Sequence, residues 1–160
     1  MNNKFKKSLI AYYSFSGNTA IMAEKIKEIV DGDLFEIKHL KKPSLLSLYI
    51  NAGKKKFFNV KAKIDLDPLP DISAYDSIFI GAPVYAWTIP DILASFLSSN
   101  DFKGKKTISF ATYGGGAGKF FDDFKKTIKN ASVIDGIAIK NVKASDFAQK
   151  INLWLESIDV

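Results

Sequence analysis

The chain has 160 residues and a mass of 17.7 kDa, which predicts one domain over residues 1–160. Its composition, 47% apolar and 25% charged, is typical of a globular protein, and the absence of cysteine excludes disulfides, thiolate metal sites and cysteine nucleophiles. The formal charge of +6 comes entirely from lysine, so the bidentate guanidinium contacts that read guanine are missing and specific nucleic-acid binding is not expected.

The N-terminal segment carries lysines ahead of a short apolar run, Leu9–Tyr13. That run is too short for the apolar core of a signal peptide, and no small-residue cleavage site follows it. No apolar segment approaches the ~20 residues that a membrane-spanning helix needs. We therefore expect a cytoplasmic protein without a membrane span.

Five apolar runs have the length of strands. Most are continuous rather than alternating, which is typical of parallel strands that are buried on both faces. The predicted strands are Leu9–Tyr13, Leu34–Ile37, Ser77–Ile80, Thr107–Ala111 and Val133–Ile139.

Segments with a helical period separate these strands. The predicted buried faces contain Met22, Ile26, Ile29 and Val30; then Ile92, Leu93, Phe96 and Leu97; then Phe120, Phe121, Phe124 and Ile128; and finally Phe147, Ile151, Trp154, Leu155 and Ile158. Regular alternation of strand and helix predicts an α/β three-layer sandwich around a five-stranded parallel sheet.

Residues 40–75 are irregular. Leu45, Leu46, Leu48 and Tyr49 suggest a short helix, and turns are expected at Pro68 and Pro70. Eight lysines and no acid lie between Lys38 and Lys63, whereas the rest of the chain has 15 lysines against 17 acids. The basic character therefore belongs to one segment, which would favour an acidic partner or an anionic surface.

The loop after the first strand is rich in hydrogen-bond donors. Hydroxyl and amide side chains cluster around a glycine at the start of a helix, where free backbone N–H groups can bind a phosphate without any cation. A single helix cap would need only one of these residues. The predicted phosphate ligands are Ser14, Phe15, Ser16, Gly17, Asn18 and Thr19.

Two further loops follow the third and fourth strands. The first has two large aromatics between prolines, which suits the cover of a flat heteroaromatic ring, although either ring could be ordinary packing. The second has four glycines in five residues, which permits close approach of the backbone to a ligand. The candidate residues are Pro83, Val84, Tyr85, Ala86 and Trp87 in the first loop, and Thr112, Tyr113, Gly114, Gly115 and Gly116 in the second.

Other site motifs fail on inspection. Walker A would need a glycine at Tyr113 and a hydroxyl at Phe120, and the dinucleotide fingerprint would need a glycine at Lys119. The hydrolase elbow is absent because Ser14 stands where it requires glycine. His39 is the one histidine, so we expect a solvated side chain rather than a metal ligand or a triad member.

Taken together, the three loops resemble those of the flavodoxin family. Ser14 to Thr19 is similar to its phosphate loop, Gly81 to Pro90 to its first flavin loop, and Thr112 to Gly118 to its second. The resemblance implies strand order 2-1-3-4-5 and FMN as the cofactor, with its phosphate on the first loop, its ribityl chain passing Pro83 and Val84, and its ring between the two later loops.

The resemblance leaves the activity open. It implies electron transfer to a redox partner protein, with an NAD(P)H-dependent quinone-type oxidoreductase as the alternative. In both cases the flavin carries the electrons, so no catalytic side chain is predicted. A flavin-free interaction module on the same scaffold is the third reading. The partner would be a protein or a small-molecule electron donor or acceptor.

Overall fold

Strands and helices alternate through most of the described chain. The computed structural model describes residues 4–41, 43–44, 46–48, 50, 62–65 and 69–159. Its strands are β1 (Ser8–Tyr12), β2 (Asp33–Glu36), β3 (Lys38–His39), β4 (Ile64–Asp65), β5 (Ser77–Pro83), β6 (Lys106–Thr112) and β7 (Ser132–Ile139). Its α-helices are α1 (Asn18–Val30), α2 (Asp91–Ser99), α3 (Phe120–Thr127) and α4 (Phe147–Ser157), and a 3-10 turn spans Ile72–Ala74.

The main sheet has five parallel strands in the order β2-β1-β5-β6-β7. Counted along the chain within this sheet, that order is 2-1-3-4-5, so the predicted architecture is confirmed. The predicted strands start within one residue of the observed ones. Tyr13 and Ile37, which were predicted to end strands, lie one residue beyond them but still donate their N–H groups to Gly81 and Tyr12.

Helices cover both faces of the sheet. Successive residues of β1 point to opposite faces, so that Leu9 and Ala11 pack with α2 and α3 whereas Ile10 packs with α1 and α4. Ile29 was predicted to be buried but is 37% exposed, because it lies at the edge of the apolar stripe of α1. The three layers therefore form as the helical periods predict.

A small antiparallel pair ties together the two ends of the lysine-rich segment. Lys38 lies opposite Asp65, His39 lies opposite Ile64, and the Leu40 N–H donates to the Lys63 carbonyl. The predicted short helix is present at residues 46–48 and 50, with Leu48 buried and Leu46 70% exposed. The described residues do not include Leu45, Tyr49, Pro68 or most of the lysines between Lys38 and Lys63.

No helix in the described ranges is long and apolar enough to cross a membrane. The core is built largely from aromatic and branched side chains on β1, β5, β6 and the helices that flank them. This rigid framework holds the loops that leave the carboxyl ends of β1, β5 and β6.

Candidate cofactor site

Three loops leave the carboxyl edge of the sheet at neighbouring strands. β1 lies beside β5, and β5 lies beside β6. From β1 the chain crosses to β2 on one side, whereas from β5 it crosses to β6 on the other side. Strand order therefore reverses between β1 and β5, and ligands of open α/β sheets bind at such a point.

The loop between β1 and α1 is organised around Ser14 and Gly17. The Ser14 Oγ accepts hydrogen bonds from the N–H groups of Gly17 and Ala20, both at 3.2 Å. Gly17 has φ of +92°, a left-handed conformation that is strained for any residue with a Cβ. This conformation lets the chain turn directly into α1.

Open donors remain at this turn. Ser16 and Asn18 are exposed, and the hydrogen bonds of the described residues provide no acceptor for the N–H groups of Ser16, Asn18 and Thr19. The first N–H groups of a helix have no partner within it, and the helix dipole favours an anion there. The residues present therefore fit a phosphate.

Thr19 has a different position from the one that we expected for its hydroxyl. The side chain is buried, and its Oγ1 lies 2.8 Å from the Oγ1 of Thr112 at the end of β6. The hydroxyl of Thr19 therefore links the first and third loops rather than standing open, and among the open donors Thr19 contributes its N–H group.

The second loop contains a tight turn. Tyr85 and Thr88 exchange backbone hydrogen bonds of 3.2 and 3.0 Å, and Ala86 and Trp87 between them have φ of +47° and +60°. Left-handed conformations at non-glycine residues are strained and concentrate at functional sites. The two aromatics are in different environments, since Tyr85 is buried in the core and Trp87 is 67% exposed.

The third loop is open around its glycines. No atom of the described residues outside the glycine and its chain neighbours lies within 4 Å of the position that a Cβ would occupy on Gly114, Gly115 or Gly116. Packing within the protein therefore does not account for these glycines. Pro83 and Val84 are partly exposed beside this loop, and the Val84 N–H donates to the Thr112 carbonyl at 2.8 Å.

The second and third loops are joined to each other. The Lys119 N–H donates to the Trp87 carbonyl at 2.7 Å, and the Thr88 hydroxyl donates to the Asp123 carboxylate on α3. A Cβ on Gly118 would lie 2.5 Å from both the Cβ and the carbonyl oxygen of Trp87. Close contact with the turn therefore requires glycine at this position.

A buried polar cluster lies beneath the loops. Tyr13 and His39 meet edge to face with ring centroids 5.3 Å apart; the Tyr13 hydroxyl is buried toward Tyr85, and the His39 Nε2 is buried with no hydrogen-bond partner in the described part of the chain. Burial, followed by Tyr85 and Asp91, raises the pKa of Tyr13. Burial lowers the pKa of His39, and the Asp91 carboxylate opposes that shift.

The prediction of a solvated His39 is wrong for its Nε2 atom, because pairing of β3 with β4 turns the ring inward against Tyr13. Sequence reasoning also missed Asp91 and Asp123. Asp91 is 3% exposed and its Oδ1 accepts the Ile92 N–H at 2.8 Å. Its place after Pro90, at the start of a predicted helix, was the available signal.

A cavity of about 430 Å³ opens beside the β1–α1 loop rather than between the loops that follow β5 and β6. It lies between that loop and the chain that leaves β2. Its lining includes Tyr13, Phe15, Glu36, Lys38 and His39.

Comparisons with known proteins agree with this architecture. A family model described as flavodoxin matches residues 7–158. A solved protein of Bacteroides eggerthii that is assigned as a flavoprotein has 28% identity and a TM-score of 0.83, over 96% of this chain and 98% of that one. A search of curated proteins finds no significant match.

Two further solved structures are similar. A flavoprotein of Lactobacillus acidophilus, solved in complex with FMN, has 27% identity and a TM-score of 0.68, over 94% of this chain and 99% of that one. Flavodoxin 1 of Bacillus cereus has 18% identity and a TM-score of 0.54, over 96% and 100% of the two chains, and supports the fold alone.

Proposed function

The chain belongs to the flavodoxin family, and from that premise we propose that it binds FMN at the carboxyl edge of its sheet and transfers electrons. The observation that carries the proposal is the group of open donors at the start of α1, next to the reversal of strand order. The similar Lactobacillus acidophilus flavoprotein, solved with FMN, supports the same cofactor.

The phosphate of FMN would be held by the β1–α1 loop. The N–H groups of Ser16, Asn18 and Thr19 and the side chains of Ser16 and Asn18 are the donors on that side, while Ser14 keeps the loop in shape. Neutral donors at a helix N-terminus suffice for a phosphate. The remaining predicted ligand, Phe15, is partly exposed in the same loop.

The ring of FMN would lie between the turn at Ala86 and Trp87 and the glycine loop. Trp87 offers an exposed indole for stacking, and Gly114 to Gly116 leave space for a ring edge to approach the backbone. The bound flavin supplies the redox chemistry, whereas the protein binds and orients it. Tyr85 would support the turn from below rather than cover the ring.

The turn favours a second candidate, an NAD(P)H-dependent quinone-type oxidoreductase. Turning over the peptide between Ala86 and Trp87 would convert the turn to a type that requires glycine at the position of Ala86. The Lys119 N–H fixes the following peptide, since it donates to the Trp87 carbonyl. A peptide that stays in one orientation cannot turn over to support a flavin that has accepted a single electron. The turn therefore favours transfer of electrons in pairs.

The setting of the proposed function is the cytoplasm, and its partner is an electron donor or acceptor, either a redox protein or a small molecule. An acidic partner would complement the lysine-rich segment between Lys38 and Lys63. A flavin-free interaction module is the third candidate, and the lysine-rich segment would serve its binding to an acidic partner.

The proposal is tested by titrating the flavin-free protein with FMN and with riboflavin, which lacks the phosphate, and following flavin fluorescence. FMN should bind at least about 100-fold more tightly, because two charge-assisted hydrogen bonds contribute about 1.5 kcal/mol each. Equal affinities for FMN and riboflavin would contradict the phosphate assignment. If neither flavin binds, the flavin-free interaction module is the candidate that remains.

Steady-state oxidation of NADH or NADPH by the FMN-loaded protein, with a quinone present, separates the two redox functions. Turnover that depends on the quinone identifies an oxidoreductase. An FMN-loaded protein that exchanges electrons with dithionite and ferricyanide but not with the nicotinamide is a carrier.

A further inference from the structure

The cavity beside the phosphate loop lies on the side away from the proposed flavin ring. β2 flanks β1 on one edge and β5 flanks it on the other. The loops proposed for the ring follow β5 and β6, whereas the cavity extends toward the end of β2. Its 430 Å³ falls within the range of small-molecule pockets, and the flavin ring does not account for it.

The end of β2 provides an acid where a sugar could bind. Glu36 is the last residue of β2 and lines the cavity together with Ser14 and Gly17 of the phosphate loop. It follows the phosphate loop by about 20 residues, the separation at which nucleotide-binding α/β folds place the acid that accepts ribose hydroxyls. Lys38 lies beside it, with its Nζ 3.4 Å from the Glu36 Oε2.

The cavity walls suit a flat polar ring better than an alkyl chain. Phe15, Tyr13 and His39 provide ring surfaces. Tyr13 is 5% exposed with its hydroxyl toward Tyr85, and among the residues that the structure describes the His39 Nε2 has no hydrogen-bond partner. Buried polar groups are rarely left unpaired, and a ligand with ring nitrogens and amino groups offers both donors and acceptors.

We propose that this cavity binds a nucleoside phosphate, with its phosphate toward the phosphate loop, its ribose toward Glu36 and its base among Phe15, Tyr13 and His39. The inference rests on the proposed function only in that both ligands use the start of α1. The nucleoside phosphate would be half of FAD, half of NAD(P)H, or a free nucleotide.

The test uses AMP as the probe and isothermal titration calorimetry on the flavin-free and the FMN-loaded protein. We expect saturable AMP binding to at least one form with a Kd below about 1 mM, and binding of adenosine, which lacks the phosphate, at least about tenfold weaker. FAD binding about tenfold tighter than FMN would identify the cofactor itself as the source. AMP binding to the flavin-free protein that FMN displaces, with no gain in affinity for FAD over FMN, would identify a separate nucleotide that shares the phosphate site.

Substitutions test whether AMP binds in this cavity. Glu36→Gln should weaken AMP binding about tenfold, the effect of removing one hydrogen bond to a charged group, and leave FMN affinity unchanged. Glu28→Gln is the matched control, since it removes an exposed carboxylate from α1. Unchanged AMP affinity in Glu36→Gln would show that AMP does not bind in this cavity and would overturn the proposal.

Failure of this inference and failure of the proposed function are distinguishable. Absence of AMP binding to both forms overturns the nucleotide site, whether or not FMN binds. Loss of FMN binding with AMP binding retained overturns the flavin assignment and supports the nucleotide site.

Discussion

At the scale of single residues, some groups of the loop after β1 fix its backbone, and others are proposed to bind phosphate. Ser14 uses its oxygen to accept two backbone N–H groups, and Gly17 adopts the left-handed conformation that begins α1. The phosphate donors that we propose are the N–H groups that remain. The loop is therefore sensitive to changes of backbone shape as well as to loss of donors.

Gly17→Val should reduce FMN affinity by at least about tenfold, because a β-branched residue strains the backbone at φ of +92° and displaces the N–H groups. The measurement is flavin fluorescence titration. Gly104→Val is the matched control, since Gly104 also has a positive φ, +73°, and open space around its Cβ position but lies before β6, at the opposite edge of the sheet. Equal losses in both variants would point to general destabilisation.

His39 is the residue at which pH should act on stability. Burial lowers its pKa in the folded protein below the ordinary value of 6.5, so the unfolded chain binds more protons there as the pH falls. The contribution of neutral His39 to stability is therefore present above pH 6.5 and lost as the pH falls below it.

Urea unfolding of the wild type and of His39→Gln at pH 8 and pH 5.5 checks this prediction. The wild type should lose more of its free energy of unfolding between the two values than the variant, which does not titrate. Identical losses would show that the ring is protonated in the folded state as easily as in the unfolded one.

At the scale of elements, the turn between β5 and α2 is clamped to the start of α3. Its left-handed residues, Ala86 and Trp87, are strained, and contacts from outside the turn must hold them. The contacts are the hydrogen bond from Lys119 to Trp87 and the pair formed by Thr88 and Asp123. The two ring loops should therefore move as one unit.

Thr88→Val and Asp123→Asn should each weaken FMN binding several-fold, and the double variant should lose little more than either single one, because both remove the same contact. Asp122→Asn, which changes an exposed acid in the same helical turn, is the control and should bind normally. Riboflavin should show the same relative losses, since the clamp acts on the ring loops. Fully additive losses would mean that the two side chains act separately.

At the scale of the whole molecule, charge is distributed unevenly. The segment between Lys38 and Lys63 has eight lysines and no acid, while the rest of the chain is slightly acidic. Pairing of β3 with β4 ties both ends of this segment beside the cavity. Anionic electron acceptors should therefore be attracted to the edge that holds the proposed cofactor.

The FMN-loaded, reduced protein should reduce ferricyanide, an anion, at a rate that falls as ionic strength rises, whereas a neutral quinone should show little dependence. Lys41→Glu together with Lys63→Glu should lower the ferricyanide rate and flatten its salt dependence. Lys103→Glu with Lys129→Glu, a charge change of the same size at the amino edge of the sheet, before β6 and β7, is the control. An equal effect of both pairs would indicate net charge rather than a local field.

The strands, the helices and the loops at the carboxyl edge were all predictable from the amino-acid sequence. Continuous apolar runs and helical periods are local patterns. The hydrogen-bond donors from Ser14 to Thr19 are likewise adjacent in the sequence. These features were predictable because burial and hydrogen-bonding capacity depend mainly on residue type and spacing. The identity of the family followed from the same loops.

The roles of individual side chains depend instead on contacts that form when distant segments come together. Thr19 pairs with Thr112, His39 turns inward against Tyr13, and Asp123 holds Thr88, each through a partner more than 20 residues away in the chain. Tyr85 is buried while Trp87 is exposed, although both are aromatics of one turn. Contacts between distant segments set these directions, and a pattern read along the chain contains no information about which segments will meet.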